Sequence, residues 1–128
     1  MQRLASIDVG SNTLRLLIAE PDVSAPLRPL HLERRITRLG ENFLPHRILQ
    51  PEAMDRSIAA LHEFVELMGH NGVSEYSAGA TAVVREASNG SNFLNLVQGE
   101  TGLGIRLLSG SEEARLSLLG VASVISNK

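Results

Sequence analysis

Leu4-Ala-Ser-Ile-Asp-Val-Gly-Ser-Asn-Thr-Leu-Arg-Leu-Leu-Ile-Ala19 contains two short apolar runs, residues 4–9 and 14–19, separated by Gly-Ser-Asn-Thr. Apolar runs of this length are typical of strands, and a break that contains Gly and Asn is typical of a turn. The stretch therefore predicts a β-hairpin whose turn carries polar side chains.

Beyond the hairpin, the apolar pattern predicts one more strand and a long helix. A connector runs from Pro21 to Pro29, and a third strand covers Leu30 to Leu39, where apolar and polar residues alternate. The helix begins near Pro51, because proline favours the first helical position, and it ends before Gly72. Its apolar residues recur at spacings of three and four: Met54, Ile58, Leu61, Val65 and Met68.

The rest of the chain alternates strands and helices. Residues 73–80 predict a strand of small residues, residues 81–87 a short helix, and Asn92 the cap of a helix that closes at Gly102. A fifth strand covers residues 105–108, and Ser109-Gly-Ser-Glu112 fits the capping box of a last helix. A three-strand meander followed by βα and βα predicts a five-stranded mixed sheet with helices on its faces, an α/β fold of the ribonuclease-H-like or actin-like ATPase class.

The composition excludes several classes of protein. A length of 128 residues suits one domain, and 43% hydrophobic with 20% charged residues is typical of a soluble globular protein. The net charge of −2 and the aromatic content of 3% argue against a nucleic-acid partner. The chain lacks a signal peptide, an apolar stretch of membrane-spanning length and cysteine, so we expect a cytoplasmic protein.

The turn after the first strand is the first candidate site. When the chain bends at Gly10, backbone N–H groups and the side chains of Ser11, Asn12 and Thr13 can converge on an anion. The Asp8 carboxylate at the rim suits a hydrated Mg²⁺, held through water. The same residues also suit an ordinary hairpin turn, so the motif alone leaves both interpretations open.

Two later helix starts carry further candidates. Thr81 follows a strand and Arg85 comes about one turn later, which suits a bidentate phosphate contact. Without other context, an ordinary helix cap and a solvated arginine explain the two residues more simply. Glu112 and Glu113 lie in the first turn of the last helix, about 100° apart, so they cannot share one cap. Capping explains Glu112, whereas Glu113 faces either a cleft, as a base that aligns water, or the solvent.

Residues 28–47 form the one distinctly basic stretch, with five arginines and two histidines against Glu33 and Glu41. This stretch predicts either a track for a polyanion or a solvated strand face. In the second case Arg34 and Arg38 lie on one side of the strand and Arg35 lies on the other.

Four segments together resemble the exopolyphosphatase and guanosine pentaphosphate phosphatase family (Ppx/GppA). They are residues 5–18, residues 38–42 (Arg-Leu-Gly-Glu-Asn), residues 80–87 (Ala-Thr-Ala-Val-Val-Arg-Glu-Ala) and residues 109–116 (Ser-Gly-Ser-Glu-Glu-Ala-Arg-Leu). The segments are in the family's order and span nearly the whole chain. The resemblance implies a two-lobed actin-like enzyme that releases terminal orthophosphate with Mg²⁺ in a cleft between its lobes, and residues 1–128 match the N-terminal lobe.

The resemblance also implies roles for single residues. Arg85 matches the phosphate-binding arginine, Glu113 the glutamate that activates the attacking water, and Glu112 its less critical neighbour. Arg15 stands where several members carry histidine, so it bears on substrate choice. The residues that match the first phosphate loop are Asp8, Gly10, Ser11, Asn12 and Thr13.

The implied substrates are inorganic polyphosphate and guanosine pentaphosphate, which both present a terminal phosphate to the same loop. The family's second phosphate loop belongs to the other lobe and does not occur up to Lys128. We therefore expect a fragment that needs the missing C-terminal lobe and is inactive alone. A homodimer is compatible with the resemblance.

Two other functions stay open. One is a non-catalytic sensor module that binds polyphosphate or a nucleotide in the same loop. The other is the first lobe of another actin-like ATPase or kinase, which the sequence after Lys128 would reveal.

Overall fold

The strands and helices of residues 2–23 and 25–109, which the computed structural model describes, follow the predicted order. They are β1 (Arg3–Val9), β2 (Thr13–Asp22), β3 (Ala25–Ile36), α1 (Pro51–His70), β4 (Val73–Ala80), α2 (Ala82–Glu86), α3 (Gly90–Thr101) and β5 (Arg106–Leu107). The predicted last helix follows the 109–112 capping box and lies outside the described residues.

The five strands form one mixed sheet in the order β3-β2-β1-β4-β5. β1 and β3 are each antiparallel to β2, whereas β4 is parallel to β1 and β5 is parallel to β4. Val9 lies opposite Ala80, and Ala80 lies opposite Leu107. The carboxyl ends of β1, β4 and β5 therefore meet at one edge of the sheet, and the predicted five-stranded mixed sheet is confirmed.

The hydrophobic core lies on one face of this sheet. Alternate residues of β1 and β2, such as Ile7 and Leu16, are buried there against α1 and α3, which contribute Phe64 and Phe93. The residues between them, including Ser6 and Asp8, are exposed on the opposite face, called here the open face. None of the helices in the described part of the chain is long and apolar enough to cross a membrane.

β3 differs from the prediction at both of its ends. The segment expected as a connector belongs mostly to β2 and β3, which pair as far as Asp22 and Ala25. Proline is tolerated in β3 because an edge strand has outer N–H positions that need no partner. At the other end β3 stops at Ile36 instead of Leu39, because residues 37–40 turn toward the β1–β2 connection.

The apolar side of β3 is also not the side that packs on the helix. Leu32 and Ile36 lie on the open face with exposures of 55% and 68%. The polar alternate Arg35 points toward α1, where its guanidinium bonds to Glu63 and lies 5.8 Å from the ring centroid of Phe64.

The start of α3 differs by three residues from the prediction. The helix begins at Gly90, with Asn89 rather than Asn92 at the cap position. The Asn89 side chain makes a paired contact with Leu49: its Nδ2 donates to the Leu49 carbonyl over 3.0 Å, and its Oδ1 accepts from the Leu49 N–H over 2.9 Å. This contact fastens the α2–α3 connection to the segment that precedes α1.

Candidate active site

The β1–β2 turn is as tight as the sequence predicts. The Gly10 N–H donates to the Thr13 carbonyl over 3.2 Å. A Cβ at Gly10 would lie 3.0 Å from that carbonyl oxygen, so a side chain here would force the turn to shift by a few tenths of an ångström. Ser11 and Asn12 form the exposed tip, and the Asn12 side chain reaches the Thr13 hydroxyl over 3.4 Å.

Residues 37–40 hold this turn from one side. The N–H groups of Thr37 and Arg38 both donate to the Asn12 carbonyl over 3.1 Å, and the Gly40 N–H donates to the Ser11 carbonyl over 2.8 Å. Both tip carbonyls are thereby satisfied. Within residues 2–23 and 25–109, the backbone N–H groups of Ser11 and Asn12 donate to no protein acceptor. The tip therefore carries two successive N–H donors, the kind of group that backbone anion sites use.

The α1 helix positions the residues that hold the turn. The Arg56 Nε donates to the Thr37 carbonyl over 2.9 Å, and its Nη2 lies 2.6 Å from a Glu41 carboxylate oxygen. Inside the core, the Ser57 hydroxyl donates to the Thr37 hydroxyl over 3.0 Å. Sequence reasoning gave no role to Arg56 or Gly40; the only signal was that Gly40 falls in the family-like segment 38–42.

The start of α2 lies against the same turn. The Thr81 N–H and hydroxyl both donate to the Val9 carbonyl, over 3.1 and 3.3 Å. The hydroxyl makes no cap hydrogen bond to α2, so its contact is with the end of β1. A Cβ at Gly40 would lie 3.3 Å from the Ser11 Cβ and 3.4 Å from a Val83 methyl carbon. The turn, the 37–40 segment and α2 therefore meet without a gap.

Arg85 lies in the last turn of α2, at the next strand end along the sheet. Its Nη1 donates to the carbonyl of Leu108, the residue that follows β5. The Leu108 N–H in turn donates to the Ala80 carbonyl over 3.0 Å, which extends the β4–β5 pairing. A guanidinium carries five N–H donors in one plane, and the Leu108 carbonyl contact uses one of them.

Asp8 and Arg15 lie opposite each other on β1 and β2, and the Val9–Leu14 pair separates them from the turn. Both side chains are exposed on the open face. The described residues contain no group of three or more His, Asp or Glu that could hold a metal ion. A single carboxylate such as that of Asp8 is compatible with Mg²⁺, because this ion usually keeps several waters and binds through one or two carboxylates plus substrate phosphates.

Glu112 and Glu113 lie outside the described residues, so their predicted roles rest on the sequence. The described chain ends at Ser109, directly after the Leu108 contact with Arg85.

Two of the five arginines in the basic stretch form ion pairs with carboxylates. Arg28 forms an ion pair with Glu20, and Arg35 forms one with Glu33 over 2.6 Å. Hydrogen bonds from Arg35, and secondly from His31, hold the pKa of Glu33 below its ordinary value of 4.5. Arg35 is therefore held against α1 and not on a solvated face, and Arg38 lies beyond the end of β3, so of the three arginines named for that interpretation Arg34 alone is exposed on the strand.

Comparison with known proteins agrees with this geometry. The model of the Ppx/GppA phosphatase family matches residues 17–128. Exopolyphosphatase 1 of Mycobacterium tuberculosis is 33% identical over 93% of this chain, which covers 35% of that protein. An uncharacterised protein of Streptomyces coelicolor is 38% identical over 91% of this chain, which covers 34% of that protein. The chain thus spans about a third of the length of these relatives.

Solved structures of the family share the fold. The Aquifex aeolicus family member superposes with a TM-score of 0.88 at 34% identity, over 95% of this chain and 40% of that one. An exopolyphosphatase from Cytophaga hutchinsonii superposes with a TM-score of 0.84 at 30% identity, over 90% of this chain and 36% of that one. The predicted lobe fold is therefore confirmed, and the chain belongs to the Ppx/GppA phosphatase family.

Proposed function

We propose that the protein to which this chain belongs hydrolyses the terminal phosphoanhydride bond of inorganic polyphosphate or of guanosine pentaphosphate, and that residues 1–128 are its first phosphate-binding lobe. Family membership supports a phosphatase, and the M. tuberculosis relative is named an exopolyphosphatase. The observation that carries the proposal is that the 10–13 turn, Thr81 and Arg85 all lie at the end of the sheet where β1, β4 and β5 finish.

In this proposal the turn binds the terminal phosphate. The N–H groups of Ser11 and Asn12 and the hydroxyls of Ser11 and Thr13 are donors for its non-bridging oxygens. The Arg85 guanidinium approaches from the neighbouring strand end, and its planar array of donors suits a bidentate contact. Negative charge that spreads over these oxygens in the transition state is stabilised by the same donors.

Hydrolysis also needs a water molecule in line with the bond that breaks. Glu113 is the proposed group that aligns this water, on the family resemblance alone. The water oxygen bonds to the terminal phosphorus and gives up a proton to the Glu113 carboxylate. The bond from phosphorus to the bridging oxygen breaks, so orthophosphate is released and the remaining substrate is one phosphate shorter.

Mg²⁺ is proposed as the cofactor, with Asp8 as its protein contact through water. When bound, the ion neutralises part of the charge on the phosphate oxygens. A phosphoryl transition state needs donors on both sides, so we also propose that a second lobe completes the cleft and that residues 1–128 alone turn over poorly.

The test is an assay of phosphate release by the full-length protein, with polyphosphate and guanosine pentaphosphate side by side, in Mg²⁺ and in EDTA. We expect release from at least one substrate, and loss of release in EDTA with recovery when Mg²⁺ is added back. Tight binding of either substrate without turnover would instead support a sensor module.

Glu113→Gln provides the residue-level test in the same protein. We expect phosphate release to fall by about 10²–10⁴-fold while the melting temperature is unchanged, because the amide cannot accept a proton. Glu112→Gln is the matched control and should keep most of the activity, because helix capping explains the Glu112 carboxylate.

A further inference from the structure

A row of three exposed side chains crosses the open face beside the candidate site. Asp8 pairs with Arg15 across β1 and β2, and Arg15 pairs with Arg34 across β2 and β3. Directly opposed residues share one face of a sheet, and all three are exposed. Strands lie about 4.8 Å apart, so Arg34 is about 10 Å from Asp8 along the row.

Arg34 differs from the other arginines of β3 in its surroundings. Arg28 has Glu20 as its partner, and Arg35 has Glu33 and Glu63 on the α1 side. Among the residues that the structure describes, the Arg34 guanidinium makes no hydrogen bond or ion pair, and neither does that of Arg15.

The opposition of Arg15 and Arg34 is unfavourable for folding. Like charges directly opposite each other on antiparallel strands repel, and here no carboxylate from the described residues lies between them. An anion bound between the two guanidinium groups removes the repulsion and gains charge-assisted hydrogen bonds. The two arginines are thus suited to binding an anion, and their pairing does not stabilise the fold.

We infer that Arg34, beside Arg15, binds inner phosphate groups of a polyphosphate chain whose terminal phosphate lies in the 10–13 turn. The inference rests on the proposed function and deepens it, because it favours long inorganic polyphosphate. A long chain reaches along the row to Arg34, whereas tripolyphosphate ends close to the turn. A contact far from the reacting bond stabilises the bound substrate and the transition state by the same amount, so it lowers KM and leaves kcat unchanged.

The test compares Arg34→Gln with the wild type in the full-length protein, using long-chain polyphosphate and tripolyphosphate. We expect the KM for the long chain to rise about fivefold and the KM for tripolyphosphate to stay within about twofold, with kcat unchanged for both. The difference in long-chain KM between Arg34→Gln and the wild type should shrink at about 1 M salt, because salt screens exposed charges. Arg34→Lys, which keeps the charge, should restore part of the long-chain affinity.

The matched control is Arg28→Gln, which removes the same charge from the same strand about 20 Å away. It should leave both KM values unchanged. Equal KM increases for the two substrates, or an equal effect of Arg28→Gln, would mean that only overall charge matters and would overturn the inference. A lower melting temperature of Arg34→Gln with no change in the KM for long-chain polyphosphate would also overturn the inference.

Failure of the proposed function gives a different result. A wild type that hydrolyses neither substrate contradicts the proposed function, and binding of fluorescently labelled long-chain polyphosphate to wild type and Arg34→Gln then tests the arginine directly. A wild type that hydrolyses both substrates while Arg34→Gln behaves identically contradicts this inference alone.

Discussion

The Gly40 N–H donates to the Ser11 carbonyl over 2.8 Å, and the missing side chain of Gly40 leaves just enough room for Ser11 and Val83. This contact fixes the tip of the candidate phosphate-binding turn against α2. The orientation of the Ser11 and Asn12 N–H groups therefore depends on a residue about thirty positions away in the sequence.

Substitutions at Gly40 should affect the site in proportion to their size. An alanine Cβ would lie 3.3 Å from the Ser11 Cβ and 3.4 Å from Val83, so the neighbours need to move by only a few tenths of an ångström. We expect Gly40→Ala to cost less than about 1 kcal/mol of stability and Gly40→Val about 1–3 kcal/mol. Urea unfolding and KM measurements on the full-length protein test this, and equal effects of the two variants would contradict it.

Replacing Gly90 or Gly99 of α3 by alanine should change the stability of the protein in opposite directions. A Cβ at Gly90 would lie 2.2 Å from the Val84 carbonyl oxygen, whereas nothing lies within 4 Å of one at Gly99. We expect Gly90→Ala to destabilise by about 1–3 kcal/mol or more, because α2 and α3 must separate. Gly99→Ala should instead stabilise by about 0.8–1 kcal/mol, since alanine is the better helix former.

Protonation of Glu20 should contribute to the loss of folding stability at acid pH. The hydrogen bond from Arg28, assisted by Arg3, lowers the pKa of Glu20 from its ordinary value of 4.5. A lowered folded-state pKa means that the stabilisation is complete above pH 4.5 and is lost as the pH falls through the folded-state value. Glu20→Gln and Arg28→Gln should each reduce the steepness of the acid loss in thermal unfolding. An unchanged pH dependence in both variants would contradict the assignment.

Arg85→Lys tests whether the planar guanidinium is needed. A lysine has the charge but cannot form a bidentate contact with phosphate while it reaches the Leu108 carbonyl. We expect kcat/KM in the full-length protein to fall about 10²-fold. Arg47→Lys, at an exposed arginine on the 41–50 segment, is the control and should retain wild-type activity. Comparable activity of the two variants would exclude a bidentate role.

Two elements with clear boundary signals were predicted with the greatest accuracy. The strand over residues 73–80 was predicted with the bounds that the structure shows, and the helix from Pro51 was predicted to within a residue or two. β3 was predicted less well, because the prolines near residues 21–29 favour a loop unless the strand lies at a sheet edge. Whether a strand lies at an edge depends on pairing with distant segments, which local patterns do not contain.

The order of strands and helices, the tight turn at Gly10 and the candidate residues of that turn all follow from local patterns, because periodicity and turn chemistry act over a few neighbouring residues. Those patterns left both an ordinary hairpin turn and an anion site open. Strand order and register decided that Thr81 lies at the end of β1 and that Arg85 contacts the residue after β5. The same register aligned Arg15 with Arg34, because long-range pairing alone sets which side chains of separate strands become neighbours.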